Sequence, residues 1–498
     1  MRFITAALVL WLGISQPAQA RERPNILLVL SDDHSAAHVG AYGNQDIKTP
    51  NLDRFASQGM RCDRAYVACP QCVPSRAAIM TGRSPVAIQM TRFTAPLPAE
   101  VKVYPELLRG HGYYTGVGGR TYHLDGPSAS QPEIQKLYED LQLKTFARRL
   151  DYVKTARSIP ETLSQLKEFL DAVPEGRPFV LQLCFSDPHR PLDKGAIRQP
   201  HDPAKLTLPP HYPDTQLVRE DFARYYDEIG RVDQSFGQVL AELDQRHLAD
   251  NTIVAFMGDN GASQLRGKGT LYEFGIHVPL LVRWPGHVRA GSHSGELISG
   301  EDLAPTFLQA AGLDVPRDMT GRSFLDLLLG QPYEPRTYVF AERGAHGSGL
   351  PTNSAAFDLG RAIVSKTHKL IYNALWQLPY TPVDFAGDDF WEQLVEMHAV
   401  GKLPPELDRL YFAPQREIFE LYDLTADPAE MHNLIGRPEM AALERELKAQ
   451  LEVWMIREHD FVPLPFGSEG KDRRAANKAR QAGRSPTSNP PAKAKSAP

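Results

Sequence analysis

The sequence predicts an α/β fold in which a mostly parallel sheet lies between helices. Short, continuous apolar runs at 24–30, 177–185 and 251–257 are typical of strands that are covered on both faces. Helical patterns alternate with these runs, and the longest, at 219–243, has an apolar stripe that we interpret as core packing. Alternation of strands and helices favours a parallel sheet with helices on both sides.

Residues 1–20 differ from the rest of the 498-residue chain. They run from a charged Arg2 through an apolar stretch to small residues, an order typical of a secretory signal peptide. The apolar stretch is short for a membrane helix and no later stretch is long enough, so we favour a cleaved peptide over an uncleaved anchor. We expect an exported protein, periplasmic or secreted, with no membrane span.

A change of pattern after about residue 350 predicts a second structural unit. Strand patterns at 361–364 and 369–372 indicate a hairpin, another strand follows at 420–424, and a closing helix covers 437–457. The end of the chain is basic and has no apolar periodicity, which is typical of a disordered tail. The predicted order is a signal peptide, a catalytic α/β domain, a smaller antiparallel sheet-plus-helix subdomain and a basic tail, at 1–20, 21–354, 355–468 and 469–498.

The chain has a formal net charge of −5 although its tail is basic, so its body is acidic. An acidic body argues against general binding of nucleic acid. The tail is either a solvated segment or a contact for a polyanion or an anionic surface, and both interpretations stay open.

Shorter elements join the long apolar runs. Thr49 gives the start signal of a short helix. A helical turn follows at 104–110, and a short strand at 113–117 leads into Gly118–His123.

Acidic and amide side chains follow two of the buried strands. Asp32 and Asp33 come directly after the first apolar run, and Asp259 and Asn260 follow the run that ends at Met257. Ligands of open α/β sheets lie at the carboxyl ends of strands, so the two pairs are placed to meet. Each pair alone is an ordinary turn. Together they offer only oxygen ligands, which predicts a site for a hard cation, Ca²⁺ or alternatively Mg²⁺.

Cys72 begins a helical pattern in an unusual way, with Pro74 and Arg76 two and four positions later. Proline suits a first helical turn, because its missing N–H would have no partner there. A residue at such a helix start faces free N–H groups and the positive end of the helix dipole, a position that favours an anion or a residue that handles anions. The alternative is a buried structural cysteine.

The chain has four cysteines, too few for a disulfide scaffold. Cys69 and Cys72 have the spacing of a redox pair or of half a zinc site, but no second such pair follows, which argues against zinc. A bridge between Cys62 and Cys184 stays open.

The segment Cys72–Arg76, followed by Thr81–Arg83, resembles the signature of the sulfatase family. Other segments are similar to sulfatase motifs in the family's order, so that the resemblance covers nearly the whole mature chain: 25–33, 49–53, His123, 187–189, 258–261, 268–273, 278–286 and 420–434. The resemblance implies an alkaline-phosphatase-like α/β core with a small antiparallel C-terminal subdomain.

The resemblance also implies a modified nucleophile. In sulfatases the signature cysteine, here Cys72, is oxidised by a formylglycine-generating enzyme to formylglycine (3-oxoalanine), an aldehyde that becomes hydrated. One hydroxyl of the hydrate attacks sulfur to give a covalent sulfo-enzyme, and the second hydroxyl then expels sulfate. The resemblance places position 72 with Asp32, Asp33, Asp259 and Asn260 around the cation, and implies that Asp33 assists the nucleophile.

Other site residues follow from the same resemblance. Arg76 and Lys268, with the cation, would neutralise the sulfate oxygens. His123 would deprotonate the second hydroxyl, and His189 would protonate the leaving group. Arg120 stands where the family usually has lysine; it keeps the positive charge in a planar fork, and we expect it to bind sulfate.

The substrate is predicted from a looser similarity. The segments 186–190 and 361–463 look most like those of sulfamidases, the sulfatases that act on N-sulfated glucosamine of heparan. Arg190 either binds a sugar carboxylate or sulfate or pairs with an acidic side chain, and the sequence favours neither.

The leading hypothesis is a sulfatase that hydrolyses sulfate esters or N-sulfate groups of sulfated carbohydrate. A phosphonate or phosphate ester hydrolase on the same scaffold is the nearest alternative. An inactive homologue that only binds sulfated glycans is another, and it would keep Cys72 unmodified. The oligomeric state is not predicted.

Overall fold

The structure is a computed structural model that describes residues 23–464 except 94, 126–131, 345 and 347–357. The predicted signal peptide, the predicted tail and the predicted boundary at 355 lie outside the described residues. Up to Asp460 the described residues form one compact unit, and the few described residues from Phe461 onward belong to a second unit. Among the described helices, none combines the length and apolar character needed to cross a membrane.

Eight strands of the described chain form one mostly parallel sheet. Their bounds are β1 Asn25–Ser31, β2 Met60–Tyr66, β3 Tyr114–Gly119, β4 Tyr152–Thr155, β5 Phe179–Cys184, β6 Thr252–Gly258, β7 Leu280–Arg283 and β8 Ser292–Ser299. The spatial order is β4-β3-β5-β1-β6-β7-β2-β8. Strand β7 is antiparallel to both of its neighbours, whereas the other pairs are parallel. The predicted α/β class is therefore confirmed.

Helices cover both faces of this sheet, and further helices lie in the later part of the chain. Their bounds in the described residues are α1 Pro50–Gln58, α2 Cys72–Thr81, α3 Tyr104–Gly110, α4 Pro132–Asp140, α5 Ile159–Ala172, α6 Gln216–Gln245, α7 Glu273–Ile276, α8 Leu303–Ala310, α9 Leu325–Leu328, α10 Asp389–Ala399, α11 Pro405–Phe412 and α12 Ala441–Arg457. Side chains of β1 alternate between two cores: Leu28 packs in the core of α2, α3 and α8, and Leu27 in that of α1, α5 and α6.

At two helix starts the structure differs in detail from the prediction. Thr49 is the N-cap of α1, but its side chain bonds Gly40 N–H and Asp53 instead of a helical N–H. The closing helix α12 begins at Ala441 and not at 437, because Pro438–Met440 forms a separate 3₁₀ turn.

A second, antiparallel sheet has four strands in the described residues. Their bounds are β9 Val339–Arg343, β10 Gly360–Val364, β11 His368–Asn373 and β12 Phe419–Asp423, in the spatial order β12-β11-β10-β9. Helix α12 packs on this sheet, where Trp454 stacks on Phe340 at 5.1 Å. The predicted antiparallel sheet-plus-helix arrangement is confirmed, and its first strand lies earlier in the chain than 355.

The register of the large sheet brings four strand ends together. Strands β3, β5, β1 and β6 are neighbours and run parallel. Cys184 of β5 pairs with Gly119 of β3 and with Leu30 of β1, and Ser31 pairs with Gly258 of β6. The segments that follow these strands therefore meet along one edge.

Candidate active site

The carboxyl edge of the large sheet collects most of the predicted site. Four strand ends there deliver the side chains of Arg120, His123, His189, Asp32, Asp33, Asp259 and Asn260. Cys72 arrives separately as the first residue of α2, after the N-cap Gln71. Lys268 belongs to the irregular segment between β6 and α7.

The predicted cation ligands form one buried cluster. Asp32, Asp33, Cys72 and Asp259 each offer a ligand atom, and these atoms lie within 4.8 Å of one another. Asn260 Nδ2 donates to Asp33 Oδ1 at 2.8 Å, while the buried Asn260 Oδ1 has no hydrogen-bond partner in the described residues. A donor set rich in oxygen, with one unsatisfied carbonyl oxygen, fits a hard divalent cation.

The electrostatics of the cluster also fit an added cation. Burial raises the pKa of Asp33 to about 7, against the pull of Lys268, and the neighbouring Asp32 adds to the rise. Burial likewise raises the pKa of Asp259 to about 6. Asp32 is different: burial opposes its ionisation, but Arg120, His189 and Arg76 hold its pKa well below its usual range. Because burial raises the pKa of two of the three carboxyls, a bound cation would favour their ionised form.

The Cys72 thiol faces two of these carboxylates. Its Sγ lies 3.3 Å from Asp32 Oδ1 and 3.9 Å from Asp33 Oδ1. Burial and the Asp32 carboxylate raise the pKa of the thiol well above its usual value, so these surroundings favour the thiol over the thiolate. The helix start that we expected to favour an anion is therefore outweighed by the neighbouring carboxylates.

The other cysteines take no part in a bridge. All four cysteines lie within the described residues, and all four are buried free thiols. The bridge between Cys62 and Cys184 that the sequence left open is thus absent.

Two arginines bind the acidic cluster from one side. Arg76 Nε lies 2.8 Å from Asp259 Oδ2 and its Nη2 lies 3.2 Å from Asp32 Oδ2. Its buried Nη1 has no hydrogen-bond partner in the part of the chain that the structure describes. Arg120 Nη1 lies 3.0 Å from Asp32 Oδ2. Gly119 gives Arg120 this position, because φ is +83° there and a Cβ would lie 1.9 Å from the Cys184 carbonyl oxygen.

Lys268 binds the cluster from the other side. Its Nζ lies 2.9 Å from Asp33 Oδ1 and 2.6 Å from Asp384 Oδ2. The Lys268 side chain is 1% exposed, so its ammonium group is held between these two carboxylates.

The two predicted catalytic histidines have different surroundings. His123 lies in a 3₁₀ turn after β3, and burial with the nearby Arg76 and Arg120 holds its pKa well below the usual range. His189 Nδ1 lies 2.5 Å from the carbonyl oxygen of Arg190, which can only accept, so Nδ1 carries a proton. Burial and Lys268 lower the pKa of His189 to about 4. Its Nε2 lies 3.9 Å from Asp33 Oδ2.

Arg190 is engaged by protein groups. Its Nε donates to the Ser263 carbonyl at 2.8 Å, and its two Nη atoms bond the carboxylates of Asp221 and Asp388. The side chain is 7% exposed. These contacts match the second of the two roles that the sequence left open, pairing with acidic side chains. Binding of substrate by Arg190 stays a prediction.

Sequence analysis missed two residues at this site, Asp384 and His346. Asp384 Oδ2 lies 3.7 Å from His189 Nε2, and its Oδ1 lies 3.4 Å from His346 Nε2. Both residues come from irregular segments beside the small sheet. No periodic pattern or neighbouring motif marks either one, so the sequence held no signal for them.

A cavity of about 740 Å³ opens beside the site. Arg120, His189 and Arg190 form part of its wall, together with Glu228 and Arg231 of α6. A volume of this size is within the range of ligand pockets. The cavity therefore gives a substrate group access to the residues that face it.

The chain is similar to known sulfatases over most of its length. The Sulfatase family model matches residues 24–313. The chain is 30% identical to human N-sulphoglucosamine sulphohydrolase over 93% of this chain and 95% of that protein. It is 28% identical to an ulvan-active sulfatase of Formosa agariphila over 89% of this chain and 76% of that protein.

Solved structures share the fold at lower identity. The phosphonate monoester hydrolase SpPMH from Silicibacter pomeroyi superposes with a TM-score of 0.67 and 20% identity, over 88% of this chain and 96% of that one. This likeness supports the alkaline-phosphatase-like fold that the resemblance implied. Together with the family model and the sequence relatives, it leads to one conclusion: the chain belongs to the sulfatase family.

Proposed function

We propose that this sulfatase releases sulfate from sulfated carbohydrate, through a formylglycine made from Cys72 and with the help of a bound Ca²⁺ ion. One observation carries the proposal. The buried Cys72 side chain lies against Asp32 and Asp33, in a cluster where Arg76 keeps one buried nitrogen without a partner. A nucleophile position, oxygen ligands and an unsatisfied cationic donor are what a sulfate-transfer site requires.

The cation would be held by Asp32, Asp33, Asp259, Asn260 and position 72. Their side-chain oxygens favour a hard ion, and among hard ions Ca²⁺ accepts irregular ligand sets more readily than Mg²⁺. When bound, the cation supplies positive charge to the oxygens of the sulfate group. This role agrees with the three buried carboxylates that lie close together in the cluster.

Protein cations bind the sulfate from two sides. Arg76 Nη1 is the open donor, and Arg120 adds a second guanidinium across Asp32. Lys268 Nζ donates from the side of Asp33. Buried, preorganised donors of this kind stabilise the negative charge that develops in the transition state, because they need no reorganisation.

Formylglycine at position 72, once hydrated, supplies a neutral hydroxyl nucleophile in place of the thiol. Asp33 lies 3.9 Å from the present thiol and would orient that group. We assign the role of base to His123, whose lowered pKa keeps the imidazole neutral and able to accept a proton. The high pKa of the Cys72 thiol supports this interpretation, because an unmodified Cys72 is a poor nucleophile here.

His189 handles the proton of the leaving group. Its Nδ1 proton is held by the Arg190 carbonyl, which leaves Nε2 directed at the site. A bound sulfate brings negative charge close to this ring and favours its protonated form. Nε2–H can then donate to the oxygen or nitrogen that leaves.

The substrate class is proposed from the relatives. One relative is named for N-sulphoglucosamine and another for ulvan, so we take sulfated sugars as the substrate class. A sulfamidase-like activity on N-sulfated glucosamine is the first choice. The signal-like segment 1–20 supports export, and maturation would need a formylglycine-generating enzyme as partner.

The first test measures modification and turnover in the same preparation. Mass spectrometry of the peptide that contains residues 62–83 should show a lower mass, which corresponds to the loss of one sulfur and two hydrogens and the gain of one oxygen. The modified protein should release sulfate from glucosamine N-sulfate or from a sugar sulfate ester. Cys72→Ala should fold and bind Ca²⁺ but release no sulfate. Turnover by Cys72→Ala at the rate of the unaltered chain would contradict the mechanism.

A phosphonate or phosphate ester hydrolase is the second candidate, favoured by the structural likeness to SpPMH. An aryl sulfate and the matching aryl phosphate and phosphonate distinguish the two, when compared by kcat/KM. Faster release of phosphate or phosphonate would favour this second candidate. An unmodified Cys72 together with tight binding of sulfated glycan would instead favour an inactive homologue.

A further inference from the structure

Asp384 lies beside two residues of the proposed mechanism, Lys268 and His189. Its Oδ2 is 2.6 Å from Lys268 Nζ and 3.7 Å from His189 Nε2. Asp33 lies near the same two side chains, at 2.9 and 3.9 Å, on the side of Cys72. Lys268 and His189 therefore stand between an inner carboxylate, which faces the nucleophile, and an outer one. The outer carboxylate lies on the other side of Lys268 and His189 from Asp33 and is partly exposed.

The backbone holds Asp384 in this place. Its neighbours Val383 and Phe385 are buried, and the Arg190 guanidinium lies 5.8 Å from the Phe385 ring. Val383 packs where a Cβ of Gly269 would stand, so this segment lies directly against the Lys268 loop. Asp384 itself has φ of +70°, a conformation that few residues other than Gly, Asn and Asp adopt. A side chain fixed in this way is preorganised for contact.

Asp384 is also accessible. Its side chain is 25% exposed, whereas those of Asp32, Asp33 and Lys268 are almost fully buried. A carboxylate only accepts hydrogen bonds when it is ionised. It therefore attracts hydroxyl or amine groups and repels a second anion close to it.

We propose that Asp384 determines which sugars are cleaved, by reading the group next to the scissile sulfate. It accepts a hydrogen bond from a vicinal hydroxyl or amine and excludes sugars that carry a second sulfate or a carboxylate there. The inference rests on the proposed function, since it takes Lys268 to bind the sulfate and His189 to face the leaving group. Selection by repulsion is a common source of specificity in binding sites.

The test compares two substrates that differ only in the vicinal group. For an N-sulfatase the pair is glucosamine N-sulfate and glucosamine N,3-O-disulfate. For an ester sulfatase the pair is a hexose 4-sulfate and its 3,4-disulfate. Mass spectrometry identifies the sulfate that leaves, and kcat/KM is measured for each member with the chain whose Cys72 is modified.

The unaltered chain should prefer the hydroxyl member by about tenfold or more, because charges of like sign a few ångströms apart repel strongly near a protein surface. Asp384→Asn keeps the shape of the side chain but removes its charge, and asparagine also adopts this backbone conformation. The ratio of kcat/KM between the two substrates should therefore fall to about threefold or less. Absolute rates will change as well, since Asp384 contacts Lys268. The ratio of the two substrates cancels that common effect.

Asp389→Asn is the matched control. Asp389 is exposed, begins α10 only five residues later, and has no contact with Lys268 or His189 in the described residues. This variant should keep the preference of the unaltered chain. A ratio near one in the unaltered chain, or an equal fall of both rates in Asp384→Asn, overturns the inference alone. Failure of the modified chain to release sulfate from either pair overturns the proposed function, and the inference with it.

Discussion

Two parts of the site differ in origin, and one member of the second part is also partly exposed. The inner cluster consists of Asp32, Asp33, Cys72, Asp259 and Asn260. Apart from Cys72 its members follow parallel strands in register, and all of them are buried. The outer rim consists of Arg190, Glu228, His346 and Asp384. Its members come from a long helix and from irregular segments, and Asp384 is partly exposed.

We propose that the difference separates reaction chemistry from choice of substrate. The inner cluster needs fixed charges in a dry environment, and strand ends supply them because a sheet fixes their spacing. We propose that the outer rim meets the sugar that carries the sulfate, and loops can change there without disturbing the sheet. Variants of each part should therefore fail in different ways, and the predictions below test that division.

The largest effect is expected for Arg76→Gln in the inner cluster. Arg76 pairs with Asp32 and Asp259, and its side chain is 2% exposed. Removing one member of a buried pair leaves charge uncompensated, so the free energy of unfolding should fall by about 3–5 kcal/mol. Sulfate release should fall at least about 100-fold, since a transition-state donor is lost. Urea denaturation and initial rates measure the two effects.

Arg83→Gln is the control for this variant. Arg83 pairs with Asp318, whose side chain is 65% exposed, and a surface pair contributes only about 0–1 kcal/mol. Similar losses of stability in the two variants would mean that the inner cluster has no special electrostatic role.

Binding of Ca²⁺ should distinguish the two carboxylates that flank Lys268. At about 100 times the dissociation constant, Ca²⁺ should raise the free energy of unfolding by about 2.7 kcal/mol. Asp33→Asn should abolish this stabilisation, because Asp33 is a proposed ligand. Asp384→Asn should retain it, because the outer carboxylate is not. Thermal denaturation with and without a chelator checks both variants. Loss of the stabilisation by Ca²⁺ in Asp384→Asn would mean that the outer carboxylate also contributes to cation binding.

A pH effect is expected in the outer rim at Glu228. Burial, with the nearby Asp187 carboxylate, raises its pKa from 4.5 to about 8. The folded chain thus holds this proton more tightly than the unfolded chain, so the stabilisation is complete below pH 4.5 and is lost as the pH rises to 8. Glu228→Gln keeps an acceptor for the Asp193 N–H and cannot ionise.

At pH 8 the free energy of unfolding of Glu228→Gln should exceed that of the unaltered chain by about 1–3 kcal/mol, and the difference should shrink towards pH 5. Urea denaturation at a series of pH values measures it. A constant difference across the series would show that Glu228 does not titrate in this range.

The smallest effect is expected at Gly269, where the two parts of the site meet. Gly269 has φ of +76°, and a Cβ there would lie 2.5 Å from Val383 Cγ2. Gly269→Ala should cost about 1–2 kcal/mol in stability, because alanine is strained in the left-handed region. It should also displace the Asp384 segment and weaken the preference between vicinal hydroxyl and vicinal sulfate. An unaltered preference would mean that this packing does not position Asp384.

Those parts of the fold could be predicted that leave a local pattern of apolar residues in the sequence. The apolar runs of β1, β5 and β6 and the helical stripe of α6 reflect burial on each element, which composition and period reveal. The strand β9 was not predicted, because its sequence Val339–Arg343 is short and lies away from the predicted hairpin. The difference at the start of α12 reflects Pro438, which begins a separate turn.

The sequence alone determined the family, and it predicted the nucleophile position and the cation site of the two acidic pairs. It could do so because these are short motifs that follow one another in the family's order, and because the two acidic pairs, Asp32–Asp33 and Asp259–Asn260, each come at the end of a buried strand. Only the tertiary structure decided that Arg190 pairs with Asp221 and Asp388, and that Asp384 binds Lys268. Asp384 and Lys268 are more than a hundred residues apart in the chain, and no local pattern encodes a contact that depends on the packing of two sheets and their loops.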